Sequence, residues 1–399
     1  MKLYEGDTYW DKSIKKDFGF KELKENVKTN TLIIGGGISG TICAYILASN
    51  GIEVTVIDKG QIGKGSTLAN TGLLQYCSDK MLNELIDSIG EEKAVSFYKM
   101  CLEAMGLLTS LSKNIGVDID YRERESIYYA SNENDIKKLK REYEYLKKYN
   151  FPVEFLDNEE LKQNYKIDKQ CALRTWMDAD VNPLKFIYAI TKKNEILGVS
   201  YYENTEVDLD NICKNKIFTN TGHEIQYDNI VLATGYSNLY PIIQDKAEIH
   251  RTYAFCSKPM EEPIWKDDVM IWETKKPYYY FRTTFDSRII AGGLDEEVDK
   301  VEVNVEEIYN RAKKITSQIK TIFPNLNIEI DYAWNGLFGG SKDGLPFIGQ
   351  DPKQTNKYYL LAYEGNGTCY SMAGALIIKD LINEVDNPYK DIVDPNRKI

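Results

Sequence analysis

The sequence predicts a mixed α/β chain, α+β in its overall make-up, in which a parallel βαβ unit is interleaved with a domain built on an antiparallel sheet. Three observations carry this. A short β-branched run, Thr31-Leu-Ile-Ile-Gly35, precedes a helical stretch from Ser39 to Asn50 and a second apolar run from Glu53 to Asp58, the order of two parallel strands joined by a helical crossover. Arg251 to Ser257, Val269 to Glu273, Tyr278 to Thr284 and Ser287 to Gly292 are short runs rich in aromatic and β-branched residues, separated by turn residues, a pattern of antiparallel sheet. No repeat or low-complexity linker divides the 399 residues, so two domains made of alternating segments fit better than two consecutive ones.

The remaining elements follow in order. Asn50-Gly51 stops the first helix. Lys80 to Lys113 has helical periodicity, Ser126 to Ala130 reads as a strand and Glu133 to Tyr149 as a highly charged helix. Lys216 to Tyr227 reads as a hairpin turning at Asn220-Thr-Gly-His223, and Asn229 to Gly235 as a buried strand that breaks at glycine. Val305 to Ile322 is an amphipathic helix, and a last strand, Tyr358 to Ala362, leads through Glu364-Gly-Asn-Gly367 into a helix near Ser371 to Val385. The domain holding the βαβ unit is expected to combine residues 1–85, 150–235 and 332–399, and the second domain residues 86–149 and 236–331.

Composition narrows the chemistry. Fifty basic against 61 acidic residues give a net charge of -11, which argues against a non-specific nucleic-acid or anionic-membrane surface. Two histidines, His223 and His250, leave little material for a multi-histidine metal site, and no metal is expected. The seven cysteines (Cys43, Cys77, Cys101, Cys171, Cys213, Cys256 and Cys369) form no C-x-x-C pair, which suits a reducing cytoplasm. The first twenty residues lack the apolar stretch of a secretory signal. Thr29 to Ile52 is uncharged and long enough to span a bilayer, but Gly35, Gly36, Gly37 and Gly40 split it, so no membrane span is expected.

Gly35-Gly36-Gly37-Ile38-Ser39-Gly40 fits G-x-G-x-x-G between a strand and a helix. Gly35 makes the tight turn, Gly37 lets a pyrophosphate approach the backbone, and Gly40 lets helix and strand pack closely. The free N–H groups and the positive end of the helix dipole, at Ile38 and Ser39, then hold the diphosphate. Asp58, followed by Lys59, closes the second strand, where a carboxylate accepts a hydrogen bond from a ribose hydroxyl. This is a Rossmann-like unit. It does not separate NAD from FAD, although Asp58 weighs against a 2′-phosphate.

Further segments carry a resemblance. Gly63-Lys-Gly-Ser-Thr-Leu-Ala-Asn-Thr-Gly72, Ala233-Thr-Gly235, Trp334-Asn-Gly336, Asp343-Gly-Leu-Pro-Phe-Ile-Gly349 and Gly365-Asn-Gly367 stand in this order. Together with Tyr9-Trp10, they make the chain resemble the FAD-dependent D-amino-acid oxidase superfamily from about residue 7 to about 384, near its glycine oxidase, sarcosine oxidase and γ-glutamylputrescine oxidase branches. The resemblance implies an FAD-dependent oxidoreductase. It places Ser66, Thr67, Asn70, Gly72 and Leu73 along the diphosphate and the flavin edge. Ala233, Thr234, Gly235 and Gly336 join the cofactor set, and Gly365, Asn366, Gly367 and Thr368 bring backbone donors to the flavin N1/O2 side. Some relatives attach the flavin through a cysteine near Trp334 to Gly340. None occurs there, so non-covalent FAD is expected.

No second dinucleotide motif and no redox cysteine pair are present, so a small molecule is expected to reduce the flavin. In the related oxidases it is an amine or amino acid, oxidised to an imine, with oxygen or another acceptor taking the electrons. On a strand, Tyr278, Tyr280 and Arg282 share one face and Tyr279 and Phe281 the other. The first face would meet the substrate, with Arg282 holding an anionic group, unless Arg282 is a surface residue beside core aromatics. Arg251, Tyr253 and Phe255 alternate in the same way and form a second candidate set. Where amino-acid-oxidising relatives often carry a carboxylate-binding arginine, this chain has Phe338, which cannot supply the planar fork. Either another arginine substitutes or the substrate lacks an α-carboxylate. The alternative reading is a 2-hydroxy-acid dehydrogenase, which needs a strong base such as histidine. His223 reads as a turn residue, and His250 is left without a role.

Overall fold

The computed structural model describes residues 3–14, 18–261, 263–297 and 303–399. Two sheets organise them. The smaller, seven-stranded sheet runs in the order Phe347–Gln350, Lys357–Leu361, Glu224–Leu232, Val27–Ile34, Val54–Ile57 and Ser200–Tyr202, with Lys216–Phe218 pairing beside Glu224–Leu232. Val27–Ile34 lies parallel to both Val54–Ile57 and Glu224–Leu232, so the expected βαβ unit sits at its centre. The hairpin arm and the buried strand expected between residues 216 and 235 are one continuous strand, Glu224–Leu232.

Alternation along Val27–Ile34 sorts its side chains between two cores. Ile33 packs with residues of the helices Ile38–Ser49 and Gly367–Ile382, whereas Leu32 and Ile34 pack on the other side with Tyr240, Ile243 and Val207. These helices start at the same end of the sheet and are joined there, Ser39 Oγ lying 2.8 Å from Ser371 Oγ. The helical run expected from Lys80 to Lys113 is two helices, Leu82–Ile89 and Glu91–Lys113, because Gly90 adopts φ 88° between them.

The larger, ten-stranded sheet runs Tyr4–Gly6, Ile330–Ser341, Ala247–Ser257, Ile289–Glu297, Tyr279–Thr283, Met270–Glu273, Arg122–Tyr129, Cys171–Asp180 and Leu73–Leu74, with Val153–Asp157 beside Cys171–Asp180. It is antiparallel as expected, except where Met270–Glu273 runs parallel to Arg122–Tyr129. Helix Val305–Ile322 has the expected bounds and buries Ile308, Ala312, Ile315 and Ile319 against Tyr253, Phe255, Phe281 and Ala291 of this sheet.

Sheet membership departs from the expected division 1–85, 150–235, 332–399 against 86–149, 236–331. Val153–Asp157, Cys171–Asp180, Tyr4–Gly6 and most of Ile330–Ser341 belong with the larger sheet. Tyr4–Gly6 pairs with Ile330–Ser341, and Cys171–Asp180 with Arg122–Tyr129 and Leu73–Leu74, partners distant in sequence of which local pattern carries no sign, whereas Val153–Asp157 pairs with the next strand, Cys171–Asp180. Among the described residues no helix is long and apolar enough to cross a membrane. All seven cysteines are free, six buried and Cys213 exposed.

Candidate active site

A cavity of about 910 Å³ opens between the two sheets, lined by residues of both, near the upper end of the range for small-molecule sites. At one end the glycine turn follows Val27–Ile34. A Cβ on Gly35, whose φ is 108°, would stand 2.3 Å from Ala233 O, and one on Gly40 would stand 1.8 Å from Gly35 O. Only glycine permits that approach of helix to strand. Neither Gly37 nor Asn366, which precede helices Ile38–Ser49 and Gly367–Ile382, caps its helix with a side chain, although the first N–H of the former helix, Ile38 N, is taken by Thr67 Oγ1. Two helix starts thus face the cavity with backbone donors and positive dipole ends. Asp58 is fixed by Gly36 N at 2.8 Å and Gly60 N at 2.7 Å. Burial pushes its carboxyl above the ordinary range against these two bonds. This donor set and this glycine cradle fit a dinucleotide diphosphate and ribose.

Between the helix starts runs the segment Ser66 to Leu73. Thr67 Oγ1 accepts from Ile38 N at 3.1 Å, tying the segment to the glycine turn. The carbonyls of Ala69, Asn70 and Thr71 are taken by buried donors: Trp334 Nε1 at 3.0 Å, Trp10 Nε1 at 2.6 Å and Arg282 Nε at 2.9 Å. These three bonds hold the backbone of residues 69–71 from behind where the segment lines the cavity.

Of the expected cofactor residues, Gly35, Gly37, Ile38, Ser39, Asp58, Lys59, Ser66, Thr67, Asn70, Leu73, Ala233, Thr234, Gly235, Gly336, Gly365, Asn366, Gly367 and Thr368 line this one cavity. Gly40 and Gly72 do not. Gly40 serves the helix–strand contact, and Gly72, at φ 75°, packs on Val181 O and the Arg282 guanidinium.

The substrate candidates divide. Tyr278, Tyr280 and Phe338 line the cavity. Arg282 does not: it is 2 % exposed, and its guanidinium donates to Thr71 O, Thr283 O at 3.0 Å and Val181 O at 3.2 Å. The alternation placed it on the expected face, but the backbone of residues 71–72 lies between it and the cavity, so it is neither the carboxylate holder nor a surface residue. Arg251 fails on parity. With Tyr253 and Phe255 it points to the face covered by helix Val305–Ile322, where it pairs with Glu296 at 3.2 Å, and the intervening Thr252 lines the cavity instead. The His250 ring lies tilted at 5.3 Å from that of Phe338, and His250 lies 3.6 Å from Glu248.

Several cavity residues were not singled out from sequence: Asp79, Thr252, Trp272, Asp295 and Glu364. Trp272 belonged to a recognised strand, and its ring stands 6.4 Å from Tyr278, which stands 5.9 Å from Tyr280. Asp295 had a signal, a carboxylate two residues after a glycine pair on an apolar strand. Asp79 had none, although it receives Tyr278 OH at 3.0 Å and Gly365 N at 2.6 Å. Burial, with the charge of Asp79 added, pushes Asp295 up to about 6 and Glu364 up to about 7. Among the described residues no group of His, Cys, Asp and Glu is placed to hold a metal.

Residues 30–381 match the family described as DAO, FAD dependent oxidoreductase. The chain is 24% identical over 405 residues to the putative Rieske 2Fe-2S iron-sulfur protein YhfW of Bacillus subtilis, covering 98% of this chain and 75% of that protein. It is 24% identical over 390 residues to the γ-glutamylputrescine oxidoreductase of Escherichia coli, covering 95% and 89%. The crystal structure of glycine oxidase from Geobacillus kaustophilus superposes with a TM-score of 0.79 at 18% identity, covering 94% of this chain and all of that one. A family match over most of the chain, on a cavity whose glycine turn and helix starts already suit a dinucleotide, makes this protein a member of the DAO family of FAD-dependent oxidoreductases.

Proposed function

We propose that this flavoenzyme oxidises a C–N bond of a small amine or amino acid to an imine, which water hydrolyses. When bound, FAD would supply the acceptor for the hydride leaving the carbon next to nitrogen. The observation that carries the reading is the wall opposite the nucleotide cradle, where Trp272, Tyr278 and Tyr280 line the cavity and neither histidine does. An alkyl amine has a lysine-like pKa about three units above neutrality, so presenting it as the free base costs roughly 4 kcal/mol. Aromatic burial lowers that cost without a strong base. Alkoxide formation from a hydroxy acid has no such route, and His250, against Phe338 but outside the lining, is not placed to help.

The chain's own residues then have distinct work. Trp10, Trp334 and Arg282 hold residues 69–71 from behind, and the uncapped start of helix Gly367–Ile382 offers positive potential where the reduced cofactor is negative. The smaller sheet would carry the nucleotide and the larger one the substrate wall. The names of the γ-glutamylputrescine and glycine enzymes among its relatives support a nitrogen substrate. Oxygen or another acceptor would take the electrons, and seven free thiols suit a reducing compartment such as the cytoplasm. The test is an anaerobic screen of amines, amino acids and hydroxy acids for bleaching of the flavin. Amines or amino acids should bleach it, and bleaching by hydroxy acids alone would overturn the reading.

A further inference from the structure

Beside the aromatic wall stands a neutral acceptor whose direction is set from behind. Gln75 lines the cavity two residues after Leu73, which also lines it, and its Nε2 donates to Ser126 Oγ at 3.0 Å. Ser126 Oγ in turn lies 2.7 Å from Asp178 Oδ2, which also accepts from Thr175 Oγ1 at 2.8 Å, and Tyr76 N donates to Asp178 Oδ1 at 3.4 Å. Ser126 and Asp178 are buried and do not line the cavity. An ionised carboxylate only accepts, so the single Ser126 proton goes to Asp178 and its lone pair takes an N–H of Gln75. The network therefore settles which way round the amide stands, with its oxygen turned away from Ser126. Burial pushes the Asp178 carboxyl up to about 7, so this polarity is complete at the higher pH where free amine is plentiful. Gln75 Oε1 receives no hydrogen bond among the described residues and is not shut off from solvent. Because Gln75 is only 7 % exposed and lines the cavity, that opening is the cavity. Ser126 and Tyr128 share one face of strand Arg122–Tyr129, and the Tyr128 ring stacks on Trp272 at 3.7 Å. The amide thus stands on the side of the sheet that carries Trp272, next to the segment Ser66 to Leu73.

As the hydride leaves the substrate carbon with two electrons for the bound flavin, the nitrogen lone pair closes the C=N bond, and the iminium so formed gives up a proton to water as the imine. The N–H bonds become more acidic as the nitrogen turns positive, so an acceptor on one of them stabilises the transition state more than the free amine. It also fixes rotation about the C–N bond, and with it the direction of the lone pair. A carboxylate in that place would hold the nitrogen as the ammonium before reaction, whereas an uncharged amide does not. Resting on the amine-oxidation reading, we propose that the Gln75 side-chain carbonyl accepts one N–H of the reacting neutral nitrogen, so that the substrate is a primary or secondary amine rather than a tertiary one. Ser126 and Asp178 are the residues that position it.

The experiment follows flavin reduction in the holoenzyme by anaerobic stopped flow at about pH 9. The probes are butylamine, N-methylbutylamine and N,N-dimethylbutylamine, and glycine, N-methylglycine and N,N-dimethylglycine. In at least one series an amine bearing an N–H should reduce the flavin at least about tenfold faster than its dimethyl counterpart. In Gln75→Leu the limiting rate for that amine should fall at least about tenfold, by more than its half-saturation rises, and the preference over the dimethyl amine should collapse toward one. Ser126→Ala, a change outside the cavity, should move both quantities the same way by a smaller factor. In Gln75→Glu the midpoint of the rise in rate with pH should move up by about one unit or more, a shift that a purely structural residue does not produce. Retained flavin checks the folding of each variant. Dimethyl amines that react as fast as the others, equal slowing of all amines in Gln75→Leu, which would put the carbonyl on the cofactor, or an unshifted pH profile in Gln75→Glu would overturn the proposal. Reduction by none of the probes would overturn the oxidation reading with it, whereas reduction that does not depend on Gln75 would overturn the proposal alone.

Discussion

Arg282 Nε donates to the Thr71 carbonyl at 2.9 Å, and the same guanidinium holds Val181 O and Thr283 O. The bond joins strand Tyr279–Thr283 to the segment Ser66 to Leu73 that lines the cavity, so a residue outside the cavity ties two parts of its wall together. Burial lowers the pKa of the guanidinium, but Asp180 at 3.7 Å opposes this. Arg282→Lys replaces a planar fork by one ammonium and leaves one or two buried carbonyls without a partner, each costing about 1–3 kcal/mol. A lower melting temperature and at least about tenfold weaker FAD retention are expected, measured by thermal melts and by flavin fluorescence on dilution. A variant with full flavin content and an unchanged melt would show that the loop does not depend on Arg282.

The same residue marks how far sequence carries. Periodicity put Arg282 on the face of Tyr278 and Tyr280, but periodicity says nothing of a loop 211 residues away inserted between that face and the cavity. The βαβ unit and helix Val305–Ile322 were legible because their signals are local: a glycine turn between apolar runs, and an amphipathic repeat. Cys171–Asp180 was not, because its alternation is broken by exposed Trp176 and by Met177 at φ 67°, and two of its partners, Arg122–Tyr129 and Leu73–Leu74, lie far away in sequence. Phe338 was found through a motif. Asp79 and Glu364 belong to no motif and become neighbours only when the chain after Leu74 and the start of helix Gly367–Ile382 converge.

Gly40→Ala should yield protein that has lost its flavin. The new Cβ would stand 1.8 Å from Gly35 O, a backbone atom at the centre of the glycine turn, so relief requires the helix to move off the strand. Overpacking of this kind costs about 1–3 kcal/mol or more, and it displaces the donors expected to hold the diphosphate. Absorbance at flavin wavelengths relative to protein absorbance reads the outcome, and a fully yellow variant would remove the close approach from the account of binding.

The flavin should be released by acid. Trp334 to Gly340 contains no cysteine, and Cys256, on a neighbouring strand, is buried and does not line the cavity. Precipitation in trichloroacetic acid should leave a colourless pellet and a yellow supernatant. Colour retained on the protein would require another attachment residue.

Glu142 predicts a pH dependence of stability. It accepts from Leu82 N at 2.9 Å and Asn83 N at 2.8 Å, at the start of helix Leu82–Ile89, yet burial outweighs these bonds and pushes its carboxyl up to about 7. The folded chain therefore keeps the proton at pH values where the unfolded chain has released it. That contribution to stability is complete below the ordinary carboxyl range and is lost as the pH rises to about 7. Glu142→Gln has no such proton to lose, although it offers one acceptor for two N–H groups and is weakened by a constant amount. The melting temperature of the variant relative to the parent should therefore rise between about pH 5 and about pH 8. A difference that stays flat across that range would remove Glu142 as the titrating group.

Phe338→Arg should favour substrates that carry a carboxylate. Phe338 lines the cavity on a strand paired with Ala247–Ser257, and its ring lies 5.3 Å from that of His250. A guanidinium there would offer a planar pair of donors to a carboxylate inside the cavity. Glycine or alanine should bleach the flavin at a concentration about tenfold or more below that needed by the parent. An ion pair formed with Glu364, which lines the same cavity, would gain nothing for amino acids, so the response separates a new carboxylate site from an internal ion pair. An unchanged response to amino acids with flavin retained would mean that residue 338 does not meet the substrate.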